Sequence, residues 1–514
     1  MKLFAYNSTK QPTSLFVVIS LLIMSAIAVF MHMVFFSHQS IRLDEAQSLF
    51  QTNRDLAGMY KTIGGDVHVP LYHTILYFWQ LEFGNSIETV RLISLFFFIG
   101  SIFALYSLAA YVVDKKVALF ASLLFTLSPF VNWYASEARM YTMLTFFVSL
   151  NLLYFFKLIR EGRPMQWLLY TLTAILGIYT HYFFFLVLLT QALFFLRYQA
   201  QFSPRHLLPR FLVSAAVVVA AITPWLLFVR QINNAGNTKP SLISPSSQDI
   251  FNAYAQYLFG YQSEIINTII LSLWPLLVLF AFYTLQKNRP IPLSIKFFIT
   301  SAFVPLGIAF LVSVLYQPIF LSRYLIIVLP ALLIFISWVV MYYPPRISLI
   351  FRSVLVVAMI GFSVLQLASS DTPVKENYRE VSDYLAKNAT NQDVIIVSPS
   401  FTLYPFDYYY AGTTQINTLP VWDRFSPGAG PGFEEAKLPQ QSEAANGVAR
   451  YAYVVFSYDQ GYEAKIQQYY DAHWPREEKI VFSPKLSVYK YRLRFDPVVK
   501  YSSTLAETAK KDTK

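Results

Sequence analysis

Eleven apolar runs separated by polar segments fill the first 370 residues, at about 15–36, 88–111, 117–132, 140–156, 166–180, 182–196, 211–229, 264–285, 297–315, 324–341 and 347–368. A helix rises about 1.5 Å per residue, so roughly 20 apolar residues cross a hydrocarbon core of about 30 Å. The pattern predicts a polytopic, mainly α membrane domain with about eleven transmembrane helices. The first run is longer than the apolar core of a signal peptide. It is followed by His38-Gln39-Ser40, which offers no small-residue cleavage site. It reads as a retained first helix. Residues 167–196 are apolar almost throughout, and His181 near their middle predicts two short helices with a break where the imidazole reaches water.

Two connections are long. Residues 37–87 contain Val69-Pro70-Leu71-Tyr72 and an amphipathic stretch from Thr74 to Leu81, suited to the interface plane of a membrane. Residues 230–263 are polar, with Asn233-Asn234-Ala235-Gly236-Asn237 and Pro240, and their length suits a functional lid. After residue 370 the periodicity changes. Residues 376–388 and 462–473 have helical spacing, and 394–397, 451–456 and 479–482 read as strands. This alternation predicts a small α/β domain over 371–496, followed by a polar tail at 497–514. Tyr404, Tyr408, Tyr409, Tyr410 and Trp422 within that domain read as core more readily than as a platform for a sugar.

Composition agrees with the pattern: 55% of the 514 residues are hydrophobic and only 13% charged, against about 25% charged in soluble domains. Cysteine is absent, which excludes disulfides, thiolate metal sites and a cysteine nucleophile. The net charge of +11 lies largely in short loops, a topology signal and not a nucleic-acid-binding face. With the N-terminus in the cytoplasm, fifteen basic residues fall on the inner side and eight on the outer. The positive-inside rule favours this orientation, which puts the C-terminal domain outside, on the periplasmic side of an inner membrane.

Under that orientation seven ionisable residues fall on the outer face near helix ends: Asp44, Glu45, His68, Glu137, Arg139, His181 and Arg323. Each has a plain explanation alone. Asp44 and Glu45 suit the first turn of a helix, Glu137 and Arg139 a structural ion pair, His181 a buried hydrogen bond and Arg323 an interfacial anchor. Together they suggest chemistry. Carboxylates deprotonate a nucleophile or hold a cation, and the planar fork of arginine suits a phosphate. Such a set at a membrane surface suits a reaction on a lipid-linked phosphate. A transporter or flippase for a lipid-linked or sugar substrate is the alternative, but transporters place ionisable groups near the bilayer midplane and often show repeated halves.

The run Leu43-Asp44-Glu45-Ala46-Gln47-Ser48, with His68-Val69-Pro70-Leu71-Tyr72 some twenty residues on, resembles the first external loop of GT-C glycosyltransferases. The protein O-mannosyltransferase and aminoarabinose-transferase-like branch is the most similar. The segment from Trp133 to Tyr141, Trp-Tyr-Ala-Ser-Glu-Ala-Arg-Met-Tyr, resembles the second loop of bacterial members, and Thr180-His181-Tyr182 and Ser322-Arg323-Tyr324-Leu325 resemble later signatures. The resemblance implies inverting transfer of a sugar, hexosyl or pentosyl, from a polyprenyl-phosphate donor to a lipid, glycan or protein acceptor. It makes Asp44 the catalytic base with Glu45 as its neighbour, and Glu137 a second acidic site. His68, Arg139, His181 and Arg323 become ligands of the donor phosphate. A divalent ion, where one takes part, would draw on Asp44, Glu137 and His181.

Overall fold

The structure is a computed structural model and describes residues 11–36, 39–199, 207–233, 242–287, 291–368, 375–422, 432–458 and 460–494. The polar tail and the Asn234–Pro240 stretch lie outside them. The described residues form two compact units. One is drawn from 1–39 and 48–374, the other from 40–47 and 375–514.

In the first unit every predicted apolar run is helical. Eight described helices are long and apolar enough to cross a membrane, or nine if one bent pair counts as a single span. The bent pair occupies the predicted run 117–132: Lys115–Leu127 and Pro129–Ala135 meet at 63°. The cause is local. A residue before proline is disfavoured in the helical region, so the first helix stops at Ser128, whose hydroxyl then accepts from Val131 N at 3.2 Å to cap the second. Proline at the first helical position needs no donor. At the other end of the pair, Asp114 caps Lys115–Leu127 by accepting from Lys116 N and Val117 N.

Burial sorts these helices. In Tyr141–Glu161 and Tyr324–Tyr342, 78% and 83% of the most apolar window is buried, against 6% in Glu264–Gln286 and 11% in Pro345–Ala368. The second pair presents leucine, valine and phenylalanine outward over its whole length. Exposed apolar surface on that scale is stable only against hydrocarbon. The protein is a multi-pass membrane protein.

The stretch around His181 is two helices, Pro164–Thr180 and Phe184–Tyr198, of 17 and 15 residues. His181 is extended (φ −162°, ψ 135°), and its Nδ1 accepts from Phe183 N at 3.1 Å, which closes the turn. The return is tight because Gly177 has no side chain: a Cβ there would stand 2.3 Å from the buried Phe184 ring. Gly177→Ala is expected to push that ring off its rotamer and cost about 1–3 kcal/mol, read as a lower thermal unfolding midpoint in detergent. An unchanged midpoint would mean that the return tolerates more room than this geometry allows.

The first long connection contains three helices, Leu43–Thr52, Leu56–Gly64 and Pro70–Phe83. The second contains Ser247–Phe259, capped reciprocally by Ser246 and Asp249.

The second unit is built on a five-stranded sheet of order β2-β1-β3-β5-β4. The strands are Val394–Ser398 (β1), Gln415–Thr418 (β2), Tyr451–Ser457 (β3), Arg476–Ser483 (β4) and Leu486–Arg492 (β5). β1 runs parallel to β2 and β3, while β5 is antiparallel to β3 and β4. Successive residues of β1 enter different cores: Val394 and Ile396 pack with Ile466 and Tyr470, Ile395 and Val397 with Leu385 and Phe406. A strand buried on both faces reads as a continuous apolar run, as this one does. The predicted helices appear as Tyr378–Asn388 and Glu463–His473. β2 and β5 were not anticipated: β2 is short and mostly polar, and β5 carries Lys490 and Arg492 among its apolar positions. Tyr410 stacks on Phe406, and Tyr404 meets Trp422 edge-on, so these rings contribute to packing.

Candidate active site

Arg139 is set by a turn between Pro129–Ala135 and Tyr141–Glu161. The Ser94 hydroxyl, on the helix Ile87–Val112, reaches the carbonyls of Glu137 at 2.5 Å and of Arg139 at 3.1 Å. Thr142 returns a bond to the Ser94 carbonyl at 2.9 Å, and Arg139 N donates to the Glu137 carbonyl at 2.7 Å. A turn tied this way holds its side chains in one direction. The guanidinium is 3% exposed; Nη1 donates to Ser48 Oγ at 2.9 Å and Nη2 to His68 Nε2 at 3.3 Å. Arginine has only donors, so in this contact Nε2 of His68 is the acceptor. The 3.7 Å approach of Asp66 to the same Nε2 is therefore not a hydrogen bond.

His68 sits just ahead of Pro70, which opens the helix Pro70–Phe83 from an extended Val69. Its ring faces that of His73 at 5.4 Å. His73 is fully buried, and burial, followed by neighbouring His68 and Arg139, pushes its pKa well below the ordinary imidazole value. Asp66 is fixed from the other side by Gln51, whose Nε2 donates to it at 2.7 Å.

His181 joins this cluster electrostatically. Burial, then the charges of Arg139 and Arg323 in that order, together lower its pKa to about 3. Both arginines therefore act on one neutral imidazole. Tyr324 packs its ring 5.1 Å from that of His181, and the Arg323 guanidinium lies 5.6 Å over Tyr324. The four residues assigned to a donor phosphate from sequence, His68, Arg139, His181 and Arg323, are thus linked through one half-buried to buried group that carries two permanent positive charges. Glu137 is fully buried beside Arg139 in the chain. Ser48, Gln51, Asp66, His73 and Tyr324 were not singled out from sequence. The signal for Ser48 was present: it lies one helical turn after Asp44 in the same motif.

Asp44 and Glu45 occupy the first turn of Leu43–Thr52, and the segment 40–47 clusters with the second unit. Asp44 is half-buried. Glu45 is fully buried; its Oε2 accepts from Arg42 N at 2.9 Å and lies 4.0 Å from Lys375 Nζ. Among the described residues no group of three or more His, Asp or Glu stands where it could hold a metal ion. The candidates Asp44, Glu137 and His181 do not form one.

Residues 67–228 match the family described as dolichyl-phosphate-mannose-protein mannosyltransferase. The matched span contains His68, Glu137, Arg139 and His181. No curated protein sequence matches the chain. Two crystal structures of ArnT from Cupriavidus metallidurans are similar in fold. In the apo state the TM-score is 0.58 at 12% identity, over 92% of this chain and 97% of that one. Bound to undecaprenyl phosphate it is 0.55 at 13% identity, over 93% and 98%. The archaeal oligosaccharyltransferase AglB from Archaeoglobus fulgidus, in complex with an inhibitory peptide and a dolichol-phosphate, gives 0.53 at 11% identity, over 94% and 75%.

This chain has the GT-C fold. The ArnT match covers nearly the whole of both chains, so the GT-C likeness takes in the membrane helices and the appended sheet domain. At such low identity it is a likeness of architecture, and the chemistry rests on the side chains described above.

Proposed function

We propose that the protein is an inverting glycosyltransferase that moves a sugar from a polyprenyl-phosphate donor to an acceptor hydroxyl on the non-cytoplasmic face of the inner membrane. The observation that carries this reading is the arginine–histidine group of Arg139, His68, His181 and Arg323 on a GT-C fold. Two permanent cations beside the neutral His181 imidazole in a place of low dielectric favour a phosphate, above all one whose charge grows as its bond to the sugar breaks. His181 stays neutral and offers a hydrogen bond without adding charge.

In this reaction the acceptor oxygen attacks the anomeric carbon from the face opposite the phosphate. The bond from that carbon to the phosphate oxygen breaks, and polyprenyl phosphate leaves with the electron pair. The acceptor proton passes to Asp44. Glu45, committed to Arg42 N and Lys375, is a neighbour that holds the turn and not a second base. The sugar is a hexose or pentose, and the acceptor a lipid, glycan or protein hydroxyl. ArnT bound to undecaprenyl phosphate and AglB in complex with a dolichol-phosphate share this fold, which supports a polyprenyl carrier here. A transporter is less well supported, because the ionisable residues gather at helix ends and the fold is that of GT-C proteins.

The test offers purified protein in nanodiscs a panel of undecaprenyl-phosphate-linked hexoses and pentoses, with an extract of host envelope lipids and glycans as acceptor. Released undecaprenyl phosphate and labelled acceptor are measured by mass spectrometry. Accumulation of one lipid-linked sugar, with loss of one envelope glycoform, in a deletion strain is the matching result in cells. Turnover of no donor in the panel, with an unchanged lipid-linked pool in the deletion strain, would remove the reading.

A further inference from the structure

The second unit contains more than its sheet: it includes residues 40–47, three hundred positions away in sequence. Three contacts make the join. Ile41 N donates to the Tyr409 hydroxyl at 2.8 Å, and Arg379 N donates to the Ser40 hydroxyl at 3.3 Å. Glu45 meets Lys375 at 4.0 Å, with both side chains fully buried. Glu45 also reaches back to Arg42 N at 2.9 Å, the backbone donor that precedes the helix, as a glutamate at the third helical position does in a capping box. Ala46 N closes the first helical bond to the Arg42 carbonyl at 2.9 Å. Tyr409 is itself held, with the Arg379 guanidinium 5.3 Å over its ring and its body packed against the Ile395–Phe406 core.

These contacts converge on one turn. Glu45 and Arg42 are consumed in building it, while Asp44 lies between them and is only half-buried. A buried lysine–carboxylate pair is weak evidence for stability, but removing either member leaves the other buried charge with less compensation in low dielectric, which ties the two segments to one geometry.

We infer that the C-terminal α/β domain is a positioning element for the catalytic base, with Lys375 and Tyr409 as its positioning residues: Lys375 locks Glu45, Tyr409 locks Ile41, and together they fix the turn that presents Asp44. This rests on the reading of Asp44 as the base. It gives the appended domain a role in the chemical step. Displacing a base by about 1 Å is enough to cost on the order of a hundredfold in rate, so a modest loosening of this turn would be read out in kcat.

The experiment compares Lys375→Met, Lys375→Arg, Tyr409→Phe and the double variant Glu45→Gln/Lys375→Met in full-length protein, with Asp44→Asn alongside. Three readouts are taken: kcat and donor KM with the undecaprenyl-phosphate sugar that the wild type turns over, the thermal midpoint, and hydrogen–deuterium exchange over residues 40–47. Lys375→Met is expected to lower kcat about 30-fold or more, with donor KM within about twofold and exchange confined to 40–47 rising about tenfold. Lys375→Arg restores most of the kcat, and Tyr409→Phe, which removes one acceptor and no charge, loses about three- to tenfold.

The double variant removes both buried charges, so its midpoint recovers while kcat stays low. Recovery of kcat together with the midpoint would reduce the pair to a structural contact and overturn the inference. So would full activity of Lys375→Met while Asp44→Asn is inactive, which leaves the base in place without its proposed anchor. If Asp44→Asn is itself active, the base assignment fails and this inference falls with it, so the two failures are distinguishable.

Discussion

Asp44→Asn is expected to lower transfer by about a hundred- to ten-thousandfold while leaving the protein folded and able to bind donor. The substitution replaces a carboxylate oxygen by an amide of nearly the same size, so the turn keeps its shape. Asp44 is half-buried at the start of the helix Leu43–Thr52, where its charge gains about 0.3–1 kcal/mol from the helix dipole that the amide gives up. The amide cannot accept a proton at working pH, so the acceptor hydroxyl must attack undissociated. The loss belongs in kcat. Donor KM should stay within a few fold, because the phosphate-binding residues proposed here, Arg139, His68, His181 and Arg323, are left unchanged. Glu45→Gln makes the contrast. It takes one carboxylate from the buried Lys375 charge, so it is expected to lower the thermal midpoint as well as the rate. An Asp44→Asn protein that transfers sugar at the wild-type rate would place the base elsewhere.

Arg139→Lys should raise the dissociation constant for undecaprenyl phosphate by about ten- to a hundredfold, and Arg139→Met by more. Arginine and lysine differ in shape at this position. The guanidinium sends Nη1 to Ser48 and Nη2 to His68 from a single plane. An ammonium is a point donor on a flexible stem and cannot hold both while facing a phosphate. His68 Nε2 would lose this donor, and a buried acceptor left without a partner costs about 1–3 kcal/mol. The effect should appear in donor KM and in equilibrium binding of undecaprenyl phosphate, with a smaller change in kcat. Wild-type affinity in a folded Arg139→Met protein would remove Arg139 from the donor site. The two variants thus separate base from phosphate ligand by which kinetic parameter each one moves.

Much of this architecture was legible in the residues. Apolar runs of 15 residues or more have one stable form in hydrocarbon, because every backbone donor and acceptor must be satisfied within the segment. Each predicted run is accordingly helical. The break at His181 was legible too, but its imidazole does not reach water as expected: it is buried against the rings of Phe183 and Tyr324. The bend at Ser128-Pro129 was written in the dipeptide but hidden by the uniform hydrophobicity around it. In the sheet domain, β1 and β3 announced themselves as apolar runs buried on both faces. β2 and β5 did not, because an edge strand and a strand with charged positions owe their form to the partners they pair with.

The candidate chemistry divides along the same line. The sequence by itself determined the membrane class, the helical segments and the residue types gathered near helix ends, because these follow from hydrocarbon thickness, backbone satisfaction and the cost of burying charge. Only the tertiary structure decided that Arg139 donates to Ser48 and His68, and that His181 lies within the field of both Arg139 and Arg323. It also separated the two adjacent acids. Asp44 and Glu45 are neighbours of the same chemistry in sequence, and nothing in their order tells them apart. Folding buries Glu45 against Lys375, 330 positions further along the chain, and leaves Asp44 half-open. A contact between residues so distant is selected by packing and low dielectric, which no local pattern encodes.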